Sequence, residues 1–398
     1  MSSILPPYSP SPSAPSYSRE PGHDEERIQL TPPAHVRSTG TYTKKCGNDT
    51  VVLTEQDCGA EFPKYGRHAS IDGFVTLEDR ETVCEIVLKL KGKMDTMSSE
   101  GGALTTRLID NSYTVWASSG SLCPSAVPFS VALPEKFVDH DRLSRPLPPS
   151  YEIPIITVPG VYFKASYTLS VTITRTVGRK LRFLTKSKSI RVPFMYKPRL
   201  RPYRPIVAST DFLTDVKAMP EEFRQASSQL QPAPKSKAEP LDLHLFLPAV
   251  EIFGLDDTIP FHVQLFGSLS SLRQFLPTDT KATITGSLVR QIIVDINGRR
   301  TTRQVLIGDA KMTPRPPGAA ASADEISLDW DGEVRARADT MVGMFDAGCV
   351  RLQDFILIEL KPLDVEVFSQ YVTLRHSHPI RLVSESWAEN SLARDDPR

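Results

Sequence analysis

From Val161 to Thr174 apolar and polar residues alternate without a break. Val161, Phe163, Ala165, Tyr167, Leu169, Val171 and Ile173 share one parity, and Tyr162, Lys164, Ser166, Thr168, Ser170, Thr172 and Thr174 share the other. A strand sends successive side chains to opposite faces, so this stretch predicts one long strand with an apolar and a wet face. Its apolar face needs a second sheet over it, which a sandwich supplies. Shorter alternating runs surround it. Ile71, Gly73, Val75 and Leu77 form one; Cys84, Ile86, Leu88 and Leu90 form another, with Cys84 expected as a small core residue. Residues 113–118, 127–133, 181–184 and 189–196 read as further strands. Together they assign residues 48–200 to one all-β sandwich.

Between residues 201 and 240 the period changes. Phe212, Leu213, Val216, Met219 and Phe223 fall at helical spacing, and Pro220 before Glu221 and Glu222 suits a first helical turn. The pattern predicts a short connector helix over about 220–230 and a flexible Pro-, Lys- and Ser-rich segment over 231–240. Alternation resumes at Leu241 and recurs in Ile259, Phe261, Val263 and Leu265. Asn297-Gly298 lies between two strand-like runs and predicts a type I′ hairpin with Asp295 facing Arg300. Residues 314–324 read as a flexible insertion, and strands over 326–338, 349–360 and 365–385 complete a second sandwich, residues 241–387. The fold class is therefore all-β, two tandem immunoglobulin-like β-sandwich domains, with a frayed end at 388–398.

Composition adds three points. The 398 residues suit two or three domains. Eight of the 34 prolines fall within the first 33 residues, and residues 1–47 read as a disordered Pro/Ser-rich tail. Zero formal net charge argues against nucleic acid as a partner. The five cysteines (Cys46, Cys58, Cys84, Cys123 and Cys349) are odd in number and lack C-x-x-C spacing, which predicts reduced thiols in a cytosolic protein. No apolar signal core or membrane-length run occurs, so a soluble intracellular chain is expected.

Catalytic signatures are missing: no Gly-rich phosphate loop, no H-E-x-x-H, no G-x-S-x-G. His376 and His378 lie two apart, with nothing at matching spacing to complete a metal site. The expectation is a non-enzyme without cofactor or metal. One charge feature stands out. From Arg175 to Arg204 there are eleven Lys or Arg and no acid. Arg175, Arg179, Lys180, Arg182, Lys186 and Lys188, on a hairpin after the central strand, could dock acidic or phosphorylated tails or anionic lipid headgroups. The plainer reading is a solvated hairpin balanced by acids elsewhere, such as Asp324 to Glu333. In the tail, Leu5-Pro6-Pro7-Tyr8 and Ala14-Pro15-Ser16-Tyr17 are pre-set toward polyproline II, the shape WW-type grooves accept, though neither is a full Pro-Pro-x-Tyr.

Four segments carry a resemblance. Gly73-Phe-Val-Thr-Leu77 with Cys84-Glu-Ile-Val-Leu-Lys-Leu-Lys-Gly92 opens it. Pro128-Phe-Ser-Val-Ala-Leu-Pro134, Leu147-Pro-Pro-Ser-Tyr151 and the central strand follow. Leu245-Phe-Leu-Pro248 with Asp257-Thr-Ile-Pro-Phe261 comes next, then Gly348-Cys-Val-Arg-Leu-Gln-Asp-Phe355 with Pro379-Ile-Arg-Leu-Val383. In this order the chain resembles fungal arrestin-like proteins of the alpha-arrestin type over residues 65–387. The resemblance implies an arrestin fold, no catalysis, and an adaptor that binds cytoplasmic tails of membrane proteins and couples them to endocytic or ubiquitylation machinery. It implies a place in the cytoplasm, peripheral to the plasma membrane or endosomes. The alternative is a scaffold of the same fold in endosomal sorting or signalling without ligase contact. Many fungal members carry Pro-Pro-x-Tyr in long C-terminal tails, read by WW-domain HECT-type ubiquitin ligases. Here the C-terminal tail is almost absent. The one full match, Pro148-Pro149-Ser150-Tyr151, falls where the family has a segment of the sandwich itself.

Overall fold

The structure is a computed structural model that describes residues 39–154, 160–177, 184–206, 211–234, 236–272, 275, 284–315, 325–361 and 371–387. The alternating stretch forms β11 (Val161–Thr176), and its apolar parity is buried from Val161 to Ile173. Antiparallel β5 (Val83–Ser98) and β12 (Thr185–Tyr196) flank it; β6 (Gly102–Ala117) lies beyond β5, and the two-residue β3 (Lys64–Tyr65) runs parallel beside β12. β10 (Tyr151–Ile153) pairs with the start of β11. A second, four-stranded sheet has the order β1 (Gly40–Cys46), β2 (Asp49–Gln56), β4 (Ser70–Leu77), β7 (Ala126–Ala132). Val51, Ile71 and Val75 from this sheet share one core with Leu88, Leu90 and Val171 from the other. A small hairpin of β8 (Lys136–Val138) and β9 (Ser144–Pro146) follows β7.

Tyr167 faces Gly92 across β11 and β5. A Cβ at Gly92 would meet the Tyr167 ring at 2.8 Å, so the ring occupies the place of the missing side chain. Its hydroxyl donates to the Pro148 carbonyl at 2.6 Å. Three sequence expectations need correction in this half. β1 lies inside the segment read as tail, because its edge is paired residue by residue with β2. The run at 113–118 is the end of one 16-residue strand, which begins at Gly102 and carries the buried Leu108 and Ile109 between exposed polar residues. Cys84 is only half-buried, at the margin of the core.

In the second half, nine strands form one sheet: β13 (Phe223–Leu230), β14 (Leu241–Pro248), β15 (Ile252–Gly254), β16 (Thr258–Ser268), β17 (Ile284–Ile296), β18 (Arg299–Arg315), β19 (Glu325–Arg335), β20 (Val350–Leu360) and β21 (Leu374–Val383). Their spatial order is β13-β14-β16-β19-β18-β17-β20-β21-β15. β18 pairs with β17 from Arg299 to Asp309 and with β19 from Ala310 to Arg315, so one strand belongs to both walls of this sandwich. Leu245, Phe261, Val263, Ile356 and Leu382 fill its core. The hairpin at Asn297-Gly298 forms as expected, with φ of 55° and 72° and Asp295 opposite Arg300.

The connector departs from its prediction. The helix is α1 (Phe212–Ala218); a 3-10 turn spans Pro220–Glu222, and residues 223–230 are strand β13. Pro220 disfavours helical geometry at Met219, so it ends the helix rather than starting one. Phe223 to Leu230 then pair along their whole length with β14, and tertiary pairing overrides the local period. The segment expected to be flexible is tied: Tyr371 donates to the Glu239 carbonyl at 2.6 Å, and Ala238 packs on the second core. Of the expected insertion, Pro314 and Arg315 belong to β18, and 316–324 lie outside the described residues. No helix among the described residues is long and apolar enough to cross a membrane.

The two sandwiches touch through named contacts. Val294, Ile296, Val350 and Leu352 belong to the first core cluster. Arg299 donates to the Glu100 carbonyl at 3.1 Å. Arg145 pairs with Asp139 and with Asp346, 3.2 Å away. The connector is clasped by the end of the second sandwich: Leu200 N–H donates to Ser384 Oγ at 2.8 Å and Glu385 N–H to the Leu200 carbonyl at 3.0 Å.

Candidate docking surface

The basic stretch is divided between structural and free cations. Asp49, at the start of β2, is buried and accepts from Arg175 Nη2 at 2.5 Å and Nη1 at 3.1 Å, with Lys188 Nζ 3.1 Å away. A buried carboxylate without partners is costly, so these two cations close the end of the sandwich, sheet to sheet. Arg199 and Arg201 meet Glu385, and Arg204 meets Glu222. The balancing acids are therefore Asp49, Glu222 and Glu385 rather than Asp324 to Glu333. Arg179, Lys180 and Arg182 lie outside the described residues. Lys186, Arg191 and Lys197 are exposed and make no ion pair among the described residues.

The outer face of the six-stranded sheet gathers the free cations. Ser170 on β11 stands between Lys89 on β5 and Arg191 on β12, and Lys89 has Ser112 on its other side. The result is a row, Ser112–Lys89–Ser170–Arg191, across four strands. Neighbouring strands lie about 4.8 Å apart, so Lys89 and Arg191 bracket Ser170 at about twice that spacing. The next row holds Asp110, Lys91 and Thr168, and the one beyond it Arg107, Lys93 and Ser166. Lys89, Lys91, Lys93 and Arg191 are all exposed. Most acids on this face are already engaged, Asp110 with Arg107 at 3.1 Å, Asp95 with Lys93 at 2.7 Å and Glu152 with Lys164 at 2.6 Å, while Glu85, opposite Thr174 and two rows beyond Lys89, makes no ion pair among the described residues. Partial burial pushes the Asp95 carboxyl up, but hydrogen bonds from Lys93 and Thr105 outweigh it and hold it below the usual range. At one end a shallow groove of about 240 Å³ is lined by Asp95, Met97, Leu104 and Tyr162.

The outward parity of Lys89 and Lys91 is legible in the sequence. The order β12-β11-β5-β6, which places Arg191 two strands from Lys89, is not. The full Pro-Pro-x-Tyr match is no accessible ligand: Pro148 and Pro149 are buried, Ser150 N–H donates to the Tyr196 carbonyl at 2.8 Å, and Tyr151 lies in β10. Leu5, Pro6 and Tyr8 lie outside the described residues.

His376 and His378 stack at 6.4 Å, and His378 Nε2 sits 2.9 Å from Glu251. Burial, with His378 nearby, holds His376 below its ordinary pKa. No group of three His, Cys, Asp or Glu among the described residues is arranged to hold a metal. A polar network unseen in the sequence fixes α1. His262 lies between Asp331 at 2.8 Å and Asp329 at 3.0 Å; Arg315 joins Asp331 to Asp211; Phe212 stacks on the His262 ring.

No known protein-family model matches the chain, and no curated protein matches it.

Proposed function

We propose that the chain is a non-catalytic, arrestin-like adaptor whose first sandwich docks an acidic or phosphorylated peptide, such as the cytoplasmic tail of a membrane protein. The Ser112–Lys89–Ser170–Arg191 row carries this reading. Two exposed cations bracketing the Ser170 hydroxyl, with Ser112 beyond Lys89, offer charge-assisted hydrogen bonds to carboxylate or phosphate. A peptide is favoured over a lipid surface because the cations interleave with hydroxyls across the sheet, while among the described residues the large exposed apolar side chains lie only at its ends, Met97 at one and Val177 and Leu184 at the other. Recruitment of a WW-domain ubiquitin ligase would rest on Leu5-Pro6-Pro7-Tyr8 alone, and with it the coupling to ubiquitylation. Peripheral location at the plasma membrane or endosomes follows from the cargo.

The test is fluorescence titration of a doubly phosphorylated peptide against the full chain, with anionic vesicles as a parallel arm. Binding should weaken as salt shortens the Debye length from about 8 Å at physiological ionic strength to about 3 Å at roughly 1 M. Lys89→Glu with Arg191→Glu should abolish it without changing the melting temperature. Peptide binding that survives this double reversal, or binding to vesicles alone, removes the reading. For the tail, a peptide of residues 1–20 should bind a WW domain better than its Tyr8→Ala, Tyr17→Ala control.

A further inference from the structure

β6 ends its sheet: no strand among the described residues pairs with its outer side. It is 16 residues long, and an open edge of that length presents rows of unpaired N–H and C=O groups. Natural proteins guard such edges with charges and bulges, and β6 has both. Their placement, however, fits one particular partner. The register between β5 and β6 slips at Gly92/Lys93, where Leu108 and Ile109 together oppose Gly92 and both are buried. In a regular strand Arg107 and Asp110, three residues apart, would point to opposite faces. The bulge brings them to the same outer face, where they pair at 3.1 Å while 76% and 43% exposed. Ala103, Thr105 and Arg107 before the bulge, and Asp110, Ser112 and Thr114 after it, therefore share the solvent face. Backbone groups alternate between strand edges with the same period as the side chains. Since Leu108 and Ile109 both turn to Gly92 on β5, the solvent-facing residues carry the free N–H and C=O groups.

We propose that β6 pairs antiparallel with β6 of a second copy of this chain, about a two-fold axis between Leu108 and Ile109. In that register Arg107 faces the second copy's Asp110, and Asp110 its Arg107. Thr105 faces Ser112, Ala103 faces Thr114, and Leu104 faces Tyr113. Every solvent-facing residue meets a solvent-facing one, and the free backbone groups face each other. The charges that would repel a generic strand become two cross-strand ion pairs with an identical strand. The bulge lies on the axis, so both strands bend alike. An edge contact of this size falls at the weak end of specific interfaces, and the dimer forms reversibly with concentration.

Sedimentation of the full chain across micromolar to sub-millimolar concentrations tests this. A reversible monomer–dimer equilibrium is expected. Arg107→Asp alone, and Asp110→Arg alone, each place two like-charge contacts across the axis and should raise the dissociation constant about tenfold. The two reversals combined should restore the original value, which no general loss of edge structure would do. Ser112→Pro removes an N–H from the free edge only, a position where an edge strand tolerates proline. It should abolish the dimer at an unchanged melting temperature. The proposal is overturned by a chain monomeric at every concentration, by single reversals that leave association unchanged, by a combined reversal that fails to restore it, or by a dimer that persists in Ser112→Pro.

Discussion

Asp49 has 2% of its side chain exposed and two cations within 3.1 Å. Arg175→Met leaves it with Lys188 alone, and a loss of roughly 2 kcal/mol is expected in urea melts, short of the 3–5 kcal/mol for a buried charge stripped of its partner. Val171, with no exposed surface, gives the plainest contrast with a neighbour. Val171→Asp buries a bare charge and should cost more than about 3 kcal/mol, whereas Ser170→Asp on the outer face should cost little stability. Ser170→Asp should instead repel an anionic peptide from between Lys89 and Arg191; midpoint losses of equal size for the two variants would contradict the assignment of faces. Asp329 sets a pH dependence. Burial pushes its carboxyl up, but hydrogen bonds from His262, Ser327 and Gln264 prevail, and its pKa in the folded chain lies below the ordinary value. A depressed folded pKa means that the stability it contributes is present above the unfolded value, near 4, and is lost as pH falls through the folded value. Acid melts of Asp329→Asn should therefore lack part of the decline seen below about pH 4 in the parent chain.

Among the elements, what could be read from the sequence followed local periodicity. The parity of residues 161–174 gave β11, and Asn297-Gly298 gave the turn between β17 and β18, with its Asp295–Arg300 pairing. Both depend on neighbours in the chain. Residues 223–230 became a strand because β14 offers eight pairing positions, and no local pattern reports that. β1 reads as tail for the same reason: its sequence is polar, and only β2 makes it a strand. The row of Lys89, Ser170 and Arg191 is half legible in the sequence. Lys89 and Lys91 have the outward parity, but Arg175 finds its carboxylate 126 positions away in Asp49, so no local pattern separates the structural cations of the basic stretch from the free ones. Element packing gives a further prediction. Gly92→Val forces a branched side chain against the Tyr167 ring, and overpacking of this kind should cost about 1–3 kcal/mol, with Gly92→Ala milder. Thermal unfolding of the two variants should rank them in that order.

At the scale of the whole molecule, the first core runs into the second sandwich through Val294, Ile296 and Val350, and polar contacts flank that seam. Arg145 holds Asp139, which is nearly buried, and Asp346 from the other half. Arg145→Met leaves Asp139 with backbone N–H donors, Leu143 at 2.8 Å among them, and removes the bridge, so the halves should separate more readily. The expected readout is faster limited proteolysis between residues 197 and 211, with strand content unchanged by circular dichroism; unchanged cleavage would show that the apolar seam alone holds the halves together. Ser384→Ala, which removes the acceptor for Leu200 N–H, should act in the same direction and more weakly. A last consequence comes from β18. Its first part is bonded to β17 and its last six residues to β19. The two walls of the second sandwich therefore share one unbroken length of backbone. Under tension across this sandwich, force applied to either wall travels along the covalent backbone of β18 into the other, so peeling the walls apart requires β18 to shear against β17 or β19.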